Sequence, residues 1–134
     1  MAANVPATSP ALPVSTRAFP AVAGEVSQAR RFLAGLLDGC PARDDALVCL
    51  SELATNAVLH SRSRLPGGTF RVHATVHSGR VRVEVEDEGG PWGSARDAHG
   101  QNGRGLLVVS QLASRCGRAG DDTSRTMWFE IDCR

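Results

Sequence analysis

Residues 70–87 read Phe70-Arg71-Val72-His73-Ala74-Thr75-Val76-His77-Ser78-Gly79-Arg80-Val81-Arg82-Val83-Glu84-Val85-Glu86-Asp87. Apolar side chains take every second position as far as Val76 and again from Val81 to Val85, with polar or charged ones between them. A period of two puts one set of side chains on each face of an extended strand, and Ser78-Gly79 supplies a tight turn. The stretch therefore predicts a β-hairpin with one buried face. The flanking sequence must provide what covers that face.

Upstream, Val22, Val26, Ala29, Phe32, Leu33, Leu36 and Leu37 recur at three- and four-residue steps and predict an amphipathic helix that Gly39 and Pro41 end. A second helix is expected over about 42–60, with Asp44 and Asp45 near its positive end and Leu47, Leu50, Leu53, Ala54 and Ala57 on its apolar face. Arg17 to Phe19 fit a short edge strand. Residues 1–15, with Pro6, Pro10 and Pro13 and no apolar periodicity, are expected to form a disordered tail, leaving 16–134 as one domain.

Downstream of the hairpin, residues 88–103 are rich in Gly, Asp and Asn, and a long loop of this kind inside a compact domain is usually functional. Leu106, Leu107, Val109, Leu112 and Ala113 predict a third helix ending near Gly117. Thr126 to Cys133 predict a last strand in which Met127, Phe129 and Ile131 alternate with Trp128 and Glu130. The order strand, helix, helix, hairpin, loop, helix, then one or two strands predicts an α+β fold. It would be a two-layer sandwich with helices on one face of a mixed, mostly antiparallel sheet.

Composition narrows the chemistry. With 42% hydrophobic and 22% charged residues in 134, the chain falls in the soluble globular class. No apolar stretch approaches the roughly 20 residues that span a bilayer, so a cytoplasmic protein with no membrane partner is expected. A net charge of +1, from 15 basic and 14 acidic side chains, leaves no electrostatic footprint for direct nucleic-acid binding. Every basic residue is arginine, which excludes a Schiff-base lysine and a P-loop lysine, and the absence of tyrosine removes a tyrosyl acid or base. Cys40, Cys49, Cys116 and Cys133 form no C-x-x-C pair and no zinc-ligand spacing. They read as free thiols, Cys49 and Cys133 being small buried groups within apolar patterns.

Three polar features stand out. Glu52 and Asn56, four residues apart, lie one above the other on a helix face. With Asp45, Cys49 and Leu59 they border the apolar stripe, where they either line a cavity or form an ordinary solvated face. Asp87 continues the inward parity of Val81, Val83 and Val85, so an acid ends the buried face of its strand. Unpaired, it would cost several kcal/mol; its donors are either a ligand amino group or the N–H groups of a turn, and Gly89-Gly90 leave room beside it for a flat ligand. Gly103-Arg104-Gly105, between the loop and a helix, frees backbone N–H groups to meet an anion, or simply makes a flexible helix entry.

In this order the features resemble the GHKL-type (Bergerat-fold) ATP-binding proteins, and specifically the small bacterial anti-sigma-factor serine/threonine kinases in their actinobacterial form. The resemblance covers residues 17–133 and is most specific at Ser51-Glu52-Leu53-Ala54-Thr55-Asn56-Ala57-Val58, Gly103-Arg104-Gly105-Leu106-Leu107 and Thr126-Met127-Trp128-Phe129. It implies ATP and Mg²⁺ as cofactors, with Asn56 coordinating the ion and Glu52 acting as general base. It also implies that Asp87 accepts a hydrogen bond from the adenine amino group, with Gly89 against the ring and Thr126 nearby. Gly103 and Gly105 would end the ATP lid, and Arg104 or Arg96 would meet transition-state charge.

The implied activity is phosphorylation of a serine or threonine on an anti-sigma-factor antagonist, which switches binding to a sigma factor, in a homodimer. A nucleotide-dependent interaction module without kinase activity and a scaffold with a vestigial site are the alternatives. One departure is visible: the wider family has Asp-x-Gly-x-Gly, whereas this chain reads Asp87-Glu88-Gly89-Gly90-Pro91, with proline in place of the second glycine.

Overall fold

A computed structural model describes residues 13–77, 79–90, 101–121 and 123–133, with backbone alone for 101–106. Most of the expected tail, the greater part of the loop, Pro91 and Arg96 lie outside the described residues. The hairpin forms as β2 (Thr69–His77) and β3 (Arg80–Asp87), paired Val72 with Val85, Ala74 with Val83 and Val76 with Val81. Gly79 turns the corner at φ 80°, a conformation open to glycine at little cost.

The edge strand β1 (Ser15–Pro20) lies against β2. On the other side β5 (Arg125–Asp132) pairs with β3, and β4 (Arg115–Gly120) pairs with β5. The sheet order is β1-β2-β3-β5-β4, and each of these ladders is antiparallel. Helices α1 (Glu25–Leu36), α2 (Arg43–His60) and α3 (Gln101–Leu112) complete the fold.

The core lies between helices and sheet, as the alternation requires. Phe70, Val72, Val81, Val83, Val85 and Phe129 are buried with Leu33, Leu50, Leu53 and Ala54. Phe19 stacks on Phe70 with ring centroids 5.4 Å apart and meets Phe32 edge-on at 6.0 Å, which fixes α1 over the β1–β2 corner. Val22 falls outside α1 and is exposed, whereas Leu37, just beyond the helix, is buried.

One element departs from expectation. The third helix stops at Leu112, short of the expected end near Gly117, and residues 115–120 are strand β4, the further strand of the one or two expected after that helix. Arg115-Cys116-Gly117-Arg118-Ala119-Gly120 has no apolar alternation because five of its six residues are exposed. Backbone pairing to β5 holds it, and Gly117 leaves space for Trp128, since a Cβ there would come within 2.9 Å of the indole ring.

Away from the helices the sheet carries a charge network. Glu130 accepts from Arg82 at 2.9 Å and Arg115 at 2.7 Å, while Asp132 accepts from Arg115 at 2.6 Å and Arg80 at 3.2 Å. The hydrogen bonds from Arg115 hold both carboxyls below their ordinary range, and a bond from His73 does the same for Glu86. A depressed folded-state pKa contributes stability above the unfolded pKa and loses it as pH falls through the folded value. The urea midpoint is therefore expected to fall between pH 7 and pH 3. Glu130 has the least exposed side chain of the three carboxyls, at 14%, so Glu130→Gln should flatten that decline; an unchanged slope would show that the network does not couple to folding.

Candidate functional site

The helical register that buries Ala46, Cys49, Leu50, Leu53 and Ala57 leaves Glu52 and Asn56 half-buried at the border of the α2 core stripe. Asn56 reaches the sheet, with Nδ2 lying 2.9 Å from Sδ of Met127. Its Oδ1 is buried and has no hydrogen-bond partner among the described residues. Cys49 is no nucleophile: burial, and then the charges of Asp45, Cys116 and Glu52, push its thiol up to about 12.

A strap joins the end of α2 to the end of β3. The Ser61 hydroxyl donates to the Ala57 carbonyl at 2.7 Å and accepts from the Ser63 amide at 3.0 Å, opening a single 3₁₀ turn at Arg62–Arg64. From that turn the Arg62 N–H donates to the Gly89 carbonyl at 2.9 Å, and Ser63 Oγ accepts from the Glu88 N–H at 2.9 Å. Gly89 and Gly90 are both buried, at φ 87° and 116°, which a side chain would strain.

Asp87 sits at this corner, 5% exposed. Its Oδ1 accepts from the Gly89 N–H at 2.8 Å, as the turn reading requires. The unexpected donor is Arg125, itself 3% exposed, whose Nε and one terminal nitrogen lie 3.3 Å from Oδ1 and Oδ2 respectively. Arg125 also donates to the His60 carbonyl at 3.3 Å, tying the end of α2 to the same point. The last strand begins at Arg125, one residue before the predicted start, and Arg125 stands directly opposite Asp87. Counting back by twos from Ile131, Phe129 and Met127 is the signal that would have found it.

The arrangement brings Asp87 and Asn56 together through β5, because their contacts, Arg125 and Met127, are successive inward positions of that strand. Each carboxylate oxygen has two lone pairs, so Asp87 keeps acceptor capacity toward a ligand amino group. Thr126 is not part of this group: it pairs with Glu86 on the opposite face of the sheet. Gly103 lies within the first turn of α3, which starts at Gln101, so the glycine pair does not precede the helix as expected. Gly105 follows in the same helix, and the Arg104 side chain lies outside what is described.

A separate cavity of about 400 Å³ lies between α2, α3 and the β4–β5 edge, lined in part by Leu53, Leu107, Val109, Cys116 and Trp128. Among the described residues, Glu52, Asn56, Asp87, Gly89 and Thr126 are not part of its lining.

A model of the histidine kinase-like ATPase domain matches residues 19–129. The chain belongs to that family. Among solved structures, this ATPase domain is similar to a crystal structure of the RsbU and RsbW domains of Rv1364c from Mycobacterium tuberculosis, with a TM-score of 0.70 and 21% identity. That match covers 90% of this chain and 32% of the other, so the chain spans about a third of its length. The Acinetobacter baumannii histidine kinase AdeS matches with a TM-score of 0.54 and 17% identity, over 97% of this chain and 72% of that one. At these identities the likeness is one of fold. A comparison with curated proteins gives no match.

In the histidine kinase-like ATPase domain described here, the donor set suits a magnesium nucleotide. Mg²⁺ is bound by hard oxygen, often by few side chains plus substrate phosphates. The buried, unsatisfied Oδ1 of Asn56 is such an oxygen. Among the described residues no cluster of three or more His, Cys, Asp or Glu could cage an ion. No described helix is long and apolar enough to cross a membrane.

Proposed function

We propose that this domain binds ATP with Mg²⁺ and transfers the terminal phosphoryl group to a serine or threonine of a protein partner, an anti-sigma-factor antagonist, so that a sigma factor is bound or released. The observation that carries the nucleotide reading is the convergence of Asn56 and Asp87 on β5, a free amide oxygen and a compensated buried carboxylate on one wall. The partner class rests on the sequence resemblance, with which the RsbW domain in a matched structure agrees.

In this reading Asp87 accepts from the adenine amino group, and the Gly89-Gly90 backbone admits the flat ring. Asn56 would hold Mg²⁺, which when bound neutralises phosphate charge. Glu52, one helical turn from Asn56, accepts the proton of the attacking hydroxyl. Backbone N–H groups in the first turn of α3, around Gly103, meet phosphate oxygens, and Arg104 adds positive charge. The protein's contribution is then mostly positioning and electrostatics, as phosphoryl transfer requires.

Glu52→Ala tests it. Transfer from radiolabelled ATP to the antagonist is expected to fall by about 100-fold or more, while ATP affinity by isothermal titration stays within about threefold, since a base acts on the hydroxyl and not on the nucleotide. Equal loss of both would refute the assignment. Tight Mg-ATP binding with no transfer by the unmodified protein would favour the interaction module.

A further inference from the structure

The four cysteines have different surroundings. Cys49 is fully buried and Cys116 is exposed, whereas Cys40 and Cys133 are both half-buried at the border of the core. Their sulfurs are 3.3 Å apart although they stand 93 positions apart in the chain. The fold holds each from the backbone. Cys40 donates its N–H to the Leu37 carbonyl at 2.9 Å and accepts from the Arg43 N–H at 3.1 Å, in the turn between α1 and α2. Cys133, just past β5, donates to the Gly79 carbonyl. The closeness is therefore a property of the folded chain, and a covalent bond of about 2.05 Å between the sulfurs needs only a small side-chain shift.

We propose that Cys40 and Cys133 are a hydroperoxide-oxidisable thiol pair that closes a disulfide between the α1–α2 connection and the end of β5. In the first step the Cys40 sulfur attacks the peroxide: an S–O bond forms, the O–O bond breaks, and the departing oxygen leaves as water or alcohol with the thiol proton. In the second step the Cys133 sulfur attacks Cys40, forming S–S and breaking S–O, and the hydroxyl leaves as water with the Cys133 proton. Two thiols are oxidised by two electrons and one hydroperoxide is reduced. Burial, and then the hydrogen bond to Cys40, raise the Cys133 thiol, which disfavours its attack on free peroxide, while its place 3.3 Å from the Cys40 sulfur serves the second step. The product fastens the first helix connection to the last strand and so closes a long loop, which is expected to raise the melting temperature.

Trypsin puts the four cysteines in separate fragments, 32–43, 44–62, 116–118 and 126–134. The full chain is treated with stoichiometric hydrogen peroxide, free thiols are alkylated, and the unreduced digest is read by mass spectrometry. The expected product is 32–43 joined to 126–134, with Cys49 and Cys116 alkylated, and reductant added before the alkylation step restores all four thiols. Cys133→Ser is expected to stop at a Cys40 sulfenic acid, trapped by a cyclic 1,3-diketone. Four alkylated thiols after peroxide, a dominant bond through Cys116, or a fall in melting temperature on oxidation would each overturn the proposal.

Discussion

Asn56→Ala is expected to remove Mg²⁺-dependent ATP binding and to leave the fold standing. The two effects separate because the side chain contributes little to the folded protein itself. Its one hydrogen bond among the described residues, from Nδ2 to Sδ of Met127, is to a weak acceptor, and its Oδ1 is a buried oxygen without a partner. An unsatisfied buried acceptor costs about 1–3 kcal/mol, so deleting the amide removes a liability along with a modest contact, and the net change should lie within about 1 kcal/mol. Affinity is different. If that oxygen is the protein's ligand to the ion, nothing else in α2 replaces it, and a loss of about 100-fold or more is expected, about 2.7 kcal/mol. Isothermal titration with and without Mg²⁺ measures it, and the rise in melting temperature that Mg-ATP confers should shrink in parallel. A variant that binds Mg-ATP as tightly as the parent would remove Asn56 from the site.

How much of this the sequence discloses depends on what burial leaves in the pattern. The hairpin was legible because one face of Val72, Ala74, Val81, Val83 and Val85 is packed against helices and the other is wet, and a period of two is the trace of that asymmetry. The same parity led to Asp87. β4 left no such trace, because an exposed edge held by backbone hydrogen bonds asks nothing of its side chains beyond a glycine where Trp128 lies. Arg125 was missed for a different reason. It obeys the parity of β5 but not its polarity, so the apolar alternation begins only after it, with Met127, and points to a strand from Thr126. A charged residue in an inward position is where the pattern breaks down and also where a polar partner must be sought. Here the partner was the acid already identified. The lid residues followed composition rather than periodicity, and their placement needed the family resemblance.

Arg125→Ala should be the most destabilising single change in the site, by about 3–5 kcal/mol, because it strands the Asp87 carboxylate in a buried corner with one turn N–H. The reverse deletion is not symmetrical. Asp87→Asn keeps an oxygen for the Gly89 N–H and for Arg125 but gives up the charge, so a smaller loss of stability is expected, with ATP affinity reduced by about tenfold or more if the adenine amino group donates to this carboxylate. Combining the two should restore part of the stability that Arg125→Ala loses, because the double variant no longer buries an uncompensated charge, yet it should not restore nucleotide binding. Chemical unfolding of the three variants beside the parent gives the coupling directly as a double-mutant cycle. Additive losses would mean that the two side chains act independently and that Asp87 is held by its turn alone. Coupling with unchanged ATP affinity would make the pair a structural bolt between α2 and the sheet, through the bond from Arg125 to the His60 carbonyl, and would move the adenine acceptor elsewhere. Coupling together with lost affinity is the expected outcome. It would show that the arginine holding this corner together also keeps the nucleotide's acceptor in position.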